Sequence, residues 1–344
     1  MTDSELSKFI ISGSVDAKSP EDEAQDEGDA AAEMELRHVN VPVESHGSRL
    51  DKALAGLVPE FSRNYLQQLI EAGGVTVKGI KTVKTSAKVK AGDELLIELR
   101  PTPQSQAFKP EAMALDIVYE DEYLLVLNKP AGLVVHPAPG NWSGTLLNGL
   151  LAHDPQASFM PRAGIVHRLD KDTSGLMVVA RQRQTMDQLV SMIAARTVSR
   201  EYLALAHGAW DGAKTRQVEA PIGRDPRNRL RMAVVDLEKN SGKTASTVVS
   251  LLGSAEMHCL VKCKLHTGRT HQIRVHMAFL GYPLVSDALY GGALAGDMAR
   301  QALHACRLAF AHPATGKAME FKSPPPPDLL SAMNALGLGY NSFL

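Results

Sequence analysis

The chain has few cysteines, no long apolar run and almost no net charge, and each shortage narrows what it can be. Its three cysteines, Cys259, Cys263 and Cys306, are scattered and odd in number. They form no disulfide framework and point to a reducing cytoplasm. No apolar stretch approaches the ~20 residues of a membrane span, so no membrane partner is expected. The N-terminus lacks the basic start and apolar core of a signal peptide. No self-similarity recurs at solenoid periods. At 344 residues the chain suits one mid-sized domain and a small accessory one.

The formal net charge of −1 conceals an asymmetry. Residues 1–36 carry eleven acids against two lysines, net −9, whereas the remainder carries 35 Lys and Arg against 27 Asp and Glu, net +8. The acidic stretch is rich in Ser, Ala, Asp and Glu with few bulky residues after Ile11, the composition of a disordered tail. The rest is moderately basic, as contact with a phosphate backbone demands.

What is present is most concentrated between Gly164 and Ala180. Ile165 and Val166 lead in as a strand, and Leu176 to Ala180 lead out as a short apolar run. Between them stand His167, Arg168, Asp170, Lys171, Asp172, Thr173, Ser174 and Gly175. A hairpin that only had to turn needs about two to five residues and a glycine or two. Polar chemistry held between rigid elements is how a catalytic site is built. Taken alone, the loop is also readable as a solvated turn with incidental charges. A second motif with complementary chemistry tips the balance.

That motif is Leu265-His-Thr-Gly-Arg-Thr-His-Gln-Ile-Arg-Val-His276. Gly268 breaks a strand containing Leu260, Val261 and Leu265. Thr270 is placed to cap a helix through Ile273, Met277 and Leu280 that stops at Gly281. Arg274 sits one turn into that helix, and a carboxylate from the first loop would form a charge-assisted pair with it. His266, His271 and His276 do not make a metal site. No cysteine or paired acid stands at ligand spacing, and His-x4-His misses the usual i, i+4 arrangement.

Together the two motifs resemble the active site of the RluA-type pseudouridine synthases, over about Glu111 to Pro326. The resemblance rests on His167-Arg168-Leu169-Asp170 with Thr173-Ser174-Gly175, on Ser199-Arg-Glu-Tyr-Leu-Ala-Leu205 and on the helix motif, with no departure at these positions. It implies that Asp170 is the nucleophile, that Tyr202 packs against the target base, and that Arg274 pairs with Asp170 and keeps it ionised. Ile273 would belong to the apolar wall. His167 or Arg168 would wedge into the space a flipped base leaves. Isomerising uridine needs no redox change and no cofactor. Tyr202 is also a candidate for the final proton removal from carbon 5.

Upstream, Ser48-Arg-Leu-Asp-Lys-Ala-Leu54 and Ser62-Arg-Asn-Tyr-Leu-Gln-Gln-Leu-Ile70 read as amphipathic helices opened by serine caps. Gly73-Gly74 ends the second, Val75 to Gly79 is a strand and turn, and Val89 to Leu99 a closing hairpin. This pattern resembles the α-L (ribosomal S4-type) RNA-binding domain. The resemblance makes Arg49, Lys52, Ser62, Arg63 and Lys78 the RNA contacts; without it they would be solvated polar residues on a helix face.

The expected layout is a tail at 1–36, the RNA-binding domain at 37–101, a linker at 102–110 and the catalytic domain at 111–344. The catalytic fold is α+β, a mixed, largely antiparallel sheet with a central cleft. Ile117 to Pro130 reads as two strands around an acidic turn and Gly132 to Pro137 as a third. Thr145–Leu151, Gln184–Ala195 and Asp328–Leu336 read as helices. Within the family, the Pro161-Arg-Ala-Gly-Ile-Val-His167 lead-in and Arg300-Gln-Ala-Leu-His304 are similar to the branch acting on the helix 69 stem-loop of 23S rRNA. The implied partner is 23S rRNA in the large ribosomal subunit or its precursor, met by a monomer. Two alternatives stand beside this: a sister enzyme for other 23S or transfer RNA uridines, and a silent RNA-binding assembly factor.

Overall fold

A computed structural model describes residues 35–339 apart from 60, 100–106, 139 and 229. The expected tail lies outside the described residues except for Glu35 and Leu36, which open the first strand. The chain divides into two compact units between Thr102 and Pro103.

In the first unit, β1 (Glu35–Asn40), β2 (Val75–Val77), β3 (Ile80–Lys81) and β4 (Glu94–Leu99) form an antiparallel sheet in the order β1-β4-β2-β3. Helices α1 (Leu50–Leu57) and α2 (Arg63–Glu71) cover it, and Leu50, Leu54, Leu66 and Ile70 are buried against Leu95 and Ile97. Ser62 caps α2, its Oγ accepting the Tyr65 N–H at 3.3 Å. The expected cap at Ser48 is not made: Arg49 occupies the N-cap of α1, without a side-chain capping bond. Lys78 and Gly79, both at positive φ, make the two-residue turn between β2 and β3. Only Glu94–Leu99 of the expected closing hairpin is a strand, and it pairs with β1 and β2 instead of folding on itself.

The second unit is built on a sheet of β5 (Ile117–Glu120), β6 (Leu124–Lys129), β7 (Ser174–Ala180), β8 (Ser199–His207) and β9 (Thr215–Glu219). A side sheet of β10 (Ile222–Arg224), β11 (Met232–Val234) and β12 (Gly242–Lys243) follows. The chain then returns through β13 (Ser246–Ser254), β14 (His258–Leu265), β15 (Leu303–Ala311) and β16 (Ala318–Lys322). The main order is β5-β6-β7-β15-β8-β14-β13-β9, with β16 alongside the far half of β15. Among the described residues every strand pairing is antiparallel except β7 with β15, where Ser174 and Gly175 face His304 and Ala305. This is the expected α+β fold with a mixed, largely antiparallel sheet.

Helix α3 (Leu146–His153) packs on one face, through Leu146, Leu147 and Leu150, with Leu125, Leu127, Met177 and Val179 of β6 and β7. The alternate residues Leu124, Val126, Leu176 and Val178 pack with Leu189 of α4 (Arg183–Ala194). Such two-sided burial explains why these strands read as continuous apolar runs. Helix α5 (Gln272–Phe279) and α6 (Pro327–Ala335) complete the unit.

Three local expectations are corrected. Gly132–Pro137 is not a strand: the carbonyls of Val134 and Val135 accept the Leu146 and Leu147 N–H groups at the start of α3. Ile165 makes a single bridge to Val179 rather than a lead-in strand, because the His167 side chain accepts the neighbouring Val178 N–H at 3.1 Å. Ala107 is buried and, with Lys109, offers its carbonyl to Asn148 of α3, so this part of the expected linker packs on the catalytic unit.

Candidate active site

The two sequence motifs meet at a cleft of about 760 Å³ in the second unit. One wall is the loop Ile165–Asp170 before β7, and the other runs from Leu265 at the end of β14 into α5. Tyr202 of β8 and the last turn of α4 close it. Thr270 does not cap α5. His271 stands at the N-cap in a left-handed conformation, φ 56°, and Gln272 Oε1 turns back to accept the Arg269 N–H at 3.0 Å. That left-handed step turns His271 toward the loop and Arg274 inward.

Asp170 Oδ2 accepts from Arg274 Nη1 at 3.3 Å, so the expected pair is present. The planar fork of the guanidinium, however, is used elsewhere. Nε and Nη2 of Arg274 donate to Asp287 Oδ2 and Oδ1 at 2.7 and 2.8 Å. Asp287 takes the fork and Asp170 the remaining nitrogen. Both members are nearly buried, with side-chain exposures of 8% and 1%. A doubly bonded guanidinium in a poorly hydrated setting is rigid, and its third nitrogen is aimed accordingly. The Tyr290 ring lies 5.0 Å from the same guanidinium, and its hydroxyl bonds His271 Nδ1 at 2.8 Å. His271 Nε2 is 3.9 Å from Asp170 Oδ1, and burial lowers its pKa, which favours the neutral ring.

Tyr202 is buried among Leu169, Leu265, Ile273 and Leu303. Burial pushes its phenol up to about 12, so it stays protonated at neutral pH. That suits packing against a base. Ile273 contributes to the wall as expected. His167 lines the cleft, yet its Nε2 is tied to the backbone of β7, and burial pushes its pKa down to about 3. Arg168 is exposed at the cleft and remains free to wedge. His136 sits nearby, lowered to about 4 by burial and then by the charges of Arg162 and Arg168.

Five residues in the cleft or directly behind it were not foreseen in these roles. Asp287 lies 13 residues from Arg274 and belongs to no motif, so only the fold reveals it. Tyr290 and the left-handed His271 depend on the same local folding. Arg162, with φ 54°, and Arg200 could have been noticed. Arg200 shares strand parity with Tyr202, and Arg162 stands in a glycine-flanked lead-in.

In the first unit the structure draws Arg49 and Arg63 together on the fully buried Asp51, at 3.0 and 2.8 Å, with Gln67 as a third donor at 2.7 Å. The bond from Arg49, chiefly, holds the Asp51 carboxyl well below the usual carboxylate range. Both arginines keep about half their surface exposed, at 45% and 52%. Lys78 pairs with Asp93 at 2.7 Å, away from that cluster by sequence and partner. Lys52 is exposed, and Ser62 is occupied as a cap.

Residues 123–279 match the RNA pseudouridylate synthase family, and residues 48–95 match the S4 domain. The chain is 48% identical to the ribosomal large subunit pseudouridine synthase D of Neisseria meningitidis serogroup B, over 92% of this chain and 87% of that one. It is 44% identical to the protein of that name from Pseudomonas aeruginosa, covering 91% and 99%. An uncharacterized RNA pseudouridine synthase of Bacillus subtilis is also 44% identical, covering 85% and 95%. Among solved structures, human RNA pseudouridylate synthase domain containing 1 aligns with a TM-score of 0.50 and 28% identity, covering 63% of this chain and 86% of that one.

Proposed function

The chain belongs to the RNA pseudouridylate synthase family, and from that premise we propose that it converts uridines of the helix 69 stem-loop of 23S rRNA to pseudouridine. It is an RNA pseudouridine synthase with an S4 domain. The observation that carries the assignment of the site is Asp170, held by Arg274 across a cleft whose floor is the buried ring of Tyr202. The names of relatives at 44–48% identity support large-subunit rRNA as the target.

In this reading the target uridine leaves its loop, at a few kcal/mol of unstacking, and packs on Tyr202. Asp170 supplies the carboxylate that carries sugar or base through the exchange of a nitrogen bond for a carbon bond. Arg274 orients it, and Arg168 fills the vacated stack. Arg49, Arg63, Lys52 and Lys78 supply phosphate contacts, and Ser62 supports them as a cap. The protein acts as a cytoplasmic monomer. No helix among the described residues is long and apolar enough to cross a membrane.

A sister activity on other 23S rRNA or transfer RNA uridines is the second reading. A silent assembly factor is disfavoured by the presence of Asp170, Arg274 and Tyr202 in one cleft. The experiment is base-by-base mapping of pseudouridine in rRNA and tRNA from cells with and without the protein. Loss confined to helix 69 supports the proposal, and loss at other uridines replaces it with the sister activity.

A further inference from the structure

Two buried side-chain nitrogens have no hydrogen-bond partner among the described residues, Arg200 Nε and His167 Nδ1. Both residues line the cleft. Because His167 Nε2 accepts the Val178 N–H, the single proton of the neutral ring belongs on Nδ1. Both orphans are therefore donors in search of an acceptor.

Arg200 is the more unusual of the two. It is 6% exposed, yet its side chain makes no hydrogen bond and no ion pair among the described residues, and its Nε is sealed from solvent. Burying a charge is costly unless it is paired. Arg274, similarly buried, has two aspartates. The acid next to Arg200 in sequence is unavailable, because strand alternation puts Glu201 on the other face, where Arg307 and Lys262 hold it at 2.9 and 3.4 Å. The same alternation puts Arg200 on the side of Tyr202, roughly 7 Å away along β8. Space for the guanidinium comes from Gly268, where a Cβ would lie 2.9 Å from Arg200 Nη1.

We infer that Arg200, with the Nδ1–H of His167, is the receptor for a phosphodiester of the RNA strand whose base packs on Tyr202. A neutral uracil carbonyl would satisfy one donor and leave the charge unbalanced, whereas a phosphate oxygen satisfies both needs. The separation of Arg200 from Tyr202 is comparable with the reach from a base across its ribose to its phosphate. This inference rests on the proposed action on RNA and names a contact within that same cleft.

The test compares wild type with Arg200→Gln and Arg200→Lys. In binding to a 23S rRNA transcript across a salt series, Arg200→Gln should weaken affinity at least tenfold. The slope of log K against log salt should flatten by about 0.7, one single-strand phosphate contact. Arg200→Lys should recover most of both. Inorganic phosphate should raise the melting temperature of wild type more than that of Arg200→Gln. Without phosphate, Arg200→Gln should melt no lower than wild type, since an unpaired buried charge has been removed. Equal affinity and slope in Arg200→Gln, or equal phosphate response, would overturn the inference, as would lowered melting in both variants with an unchanged slope. Pseudouridine formation by wild type is measured alongside. Its absence on every rRNA rejects the proposed function, while the phosphate response still decides the role of Arg200.

Discussion

Arg274 joins two carboxylates that face different tasks. Asp287 is almost fully buried and fixes the plane of the guanidinium, while Asp170 faces the cleft and receives what that plane aims at it. Lysine, with all three donors on one nitrogen, could serve one of the two as a point charge, but cannot hold Asp287 in a planar fork while reaching Asp170. Arg274→Lys should therefore fold and bind RNA, yet lose at least about a hundredfold in single-turnover rate, or roughly 2.7 kcal/mol. Asp287→Ala should lose rate to a similar degree and also about 3 kcal/mol of stability, because it leaves a buried cation half paired. Near-normal rates in both, with binding measured separately, would reduce the arrangement to a simple charge. That a carboxylate of the first loop would meet Arg274 was legible from two motifs of complementary charge, and the family resemblance pointed to Asp170. Asp287 was not, since a lone acid after an apolar run carries no pattern until folding delivers it.

The elements that hold these residues depend on one close backbone approach. Gly175 in β7 has φ 116°, and a Cβ there would lie 2.3 Å from the Ala305 carbonyl oxygen of β15. This is where the parallel pairing of β7 with β15 lies, a few residues after Asp170. Gly175→Ala combines a strained φ with a backbone clash, and should cost about 3 kcal/mol or more. Denaturant unfolding measures this directly, and a loss under 1 kcal/mol would mean that the strands part without consequence. Strands β6 and β7 were legible because burial on both faces leaves apolar runs. The missing lead-in strand at Ile165 and the loop at Gly132–Pro137 were not. Their hydrogen bonds go to a side chain and to a helix start, and composition does not announce either destination. The Ser62 cap was readable as Ser before a helical period, whereas Thr270 lost its cap to a left-handed His271.

Across the whole molecule, buried neutral histidines set the response to acid. His304 is 1% exposed, bonded to Ser174 Oγ at 3.0 Å and the Ser323 carbonyl at 3.2 Å, and lowered to about 4 by burial. His136 at about 4 and His167 at about 3 behave alike. Below about pH 6.5 the unfolded chain takes up protons on these rings and the folded chain does not, so unfolding gains as pH falls. Stability should decline from about pH 6.5 to about pH 4, with His304 alone contributing on the order of 3 kcal/mol. Urea midpoints across that range check this, and His304→Gln should flatten the decline. An unchanged slope in that variant would show that His304 is not held neutral. The two-unit plan was legible in two separate sets of helical and strand periods. The packing of Ala107 and Lys109 on α3 was hidden, because it depends on carbonyls rather than side chains.

In the proposed function the carboxylate of Asp170 performs pseudouridine formation on 23S rRNA. The most direct test incubates a 23S rRNA transcript with wild type and with Asp170→Asn and maps pseudouridine at every base. The amide keeps the shape of the side chain and removes its nucleophilic charge. Wild type should form pseudouridine in helix 69, and Asp170→Asn should form none while binding the transcript as tightly. Turnover by Asp170→Asn within tenfold of wild type would contradict the account, as would a wild type that leaves every 23S uridine unchanged.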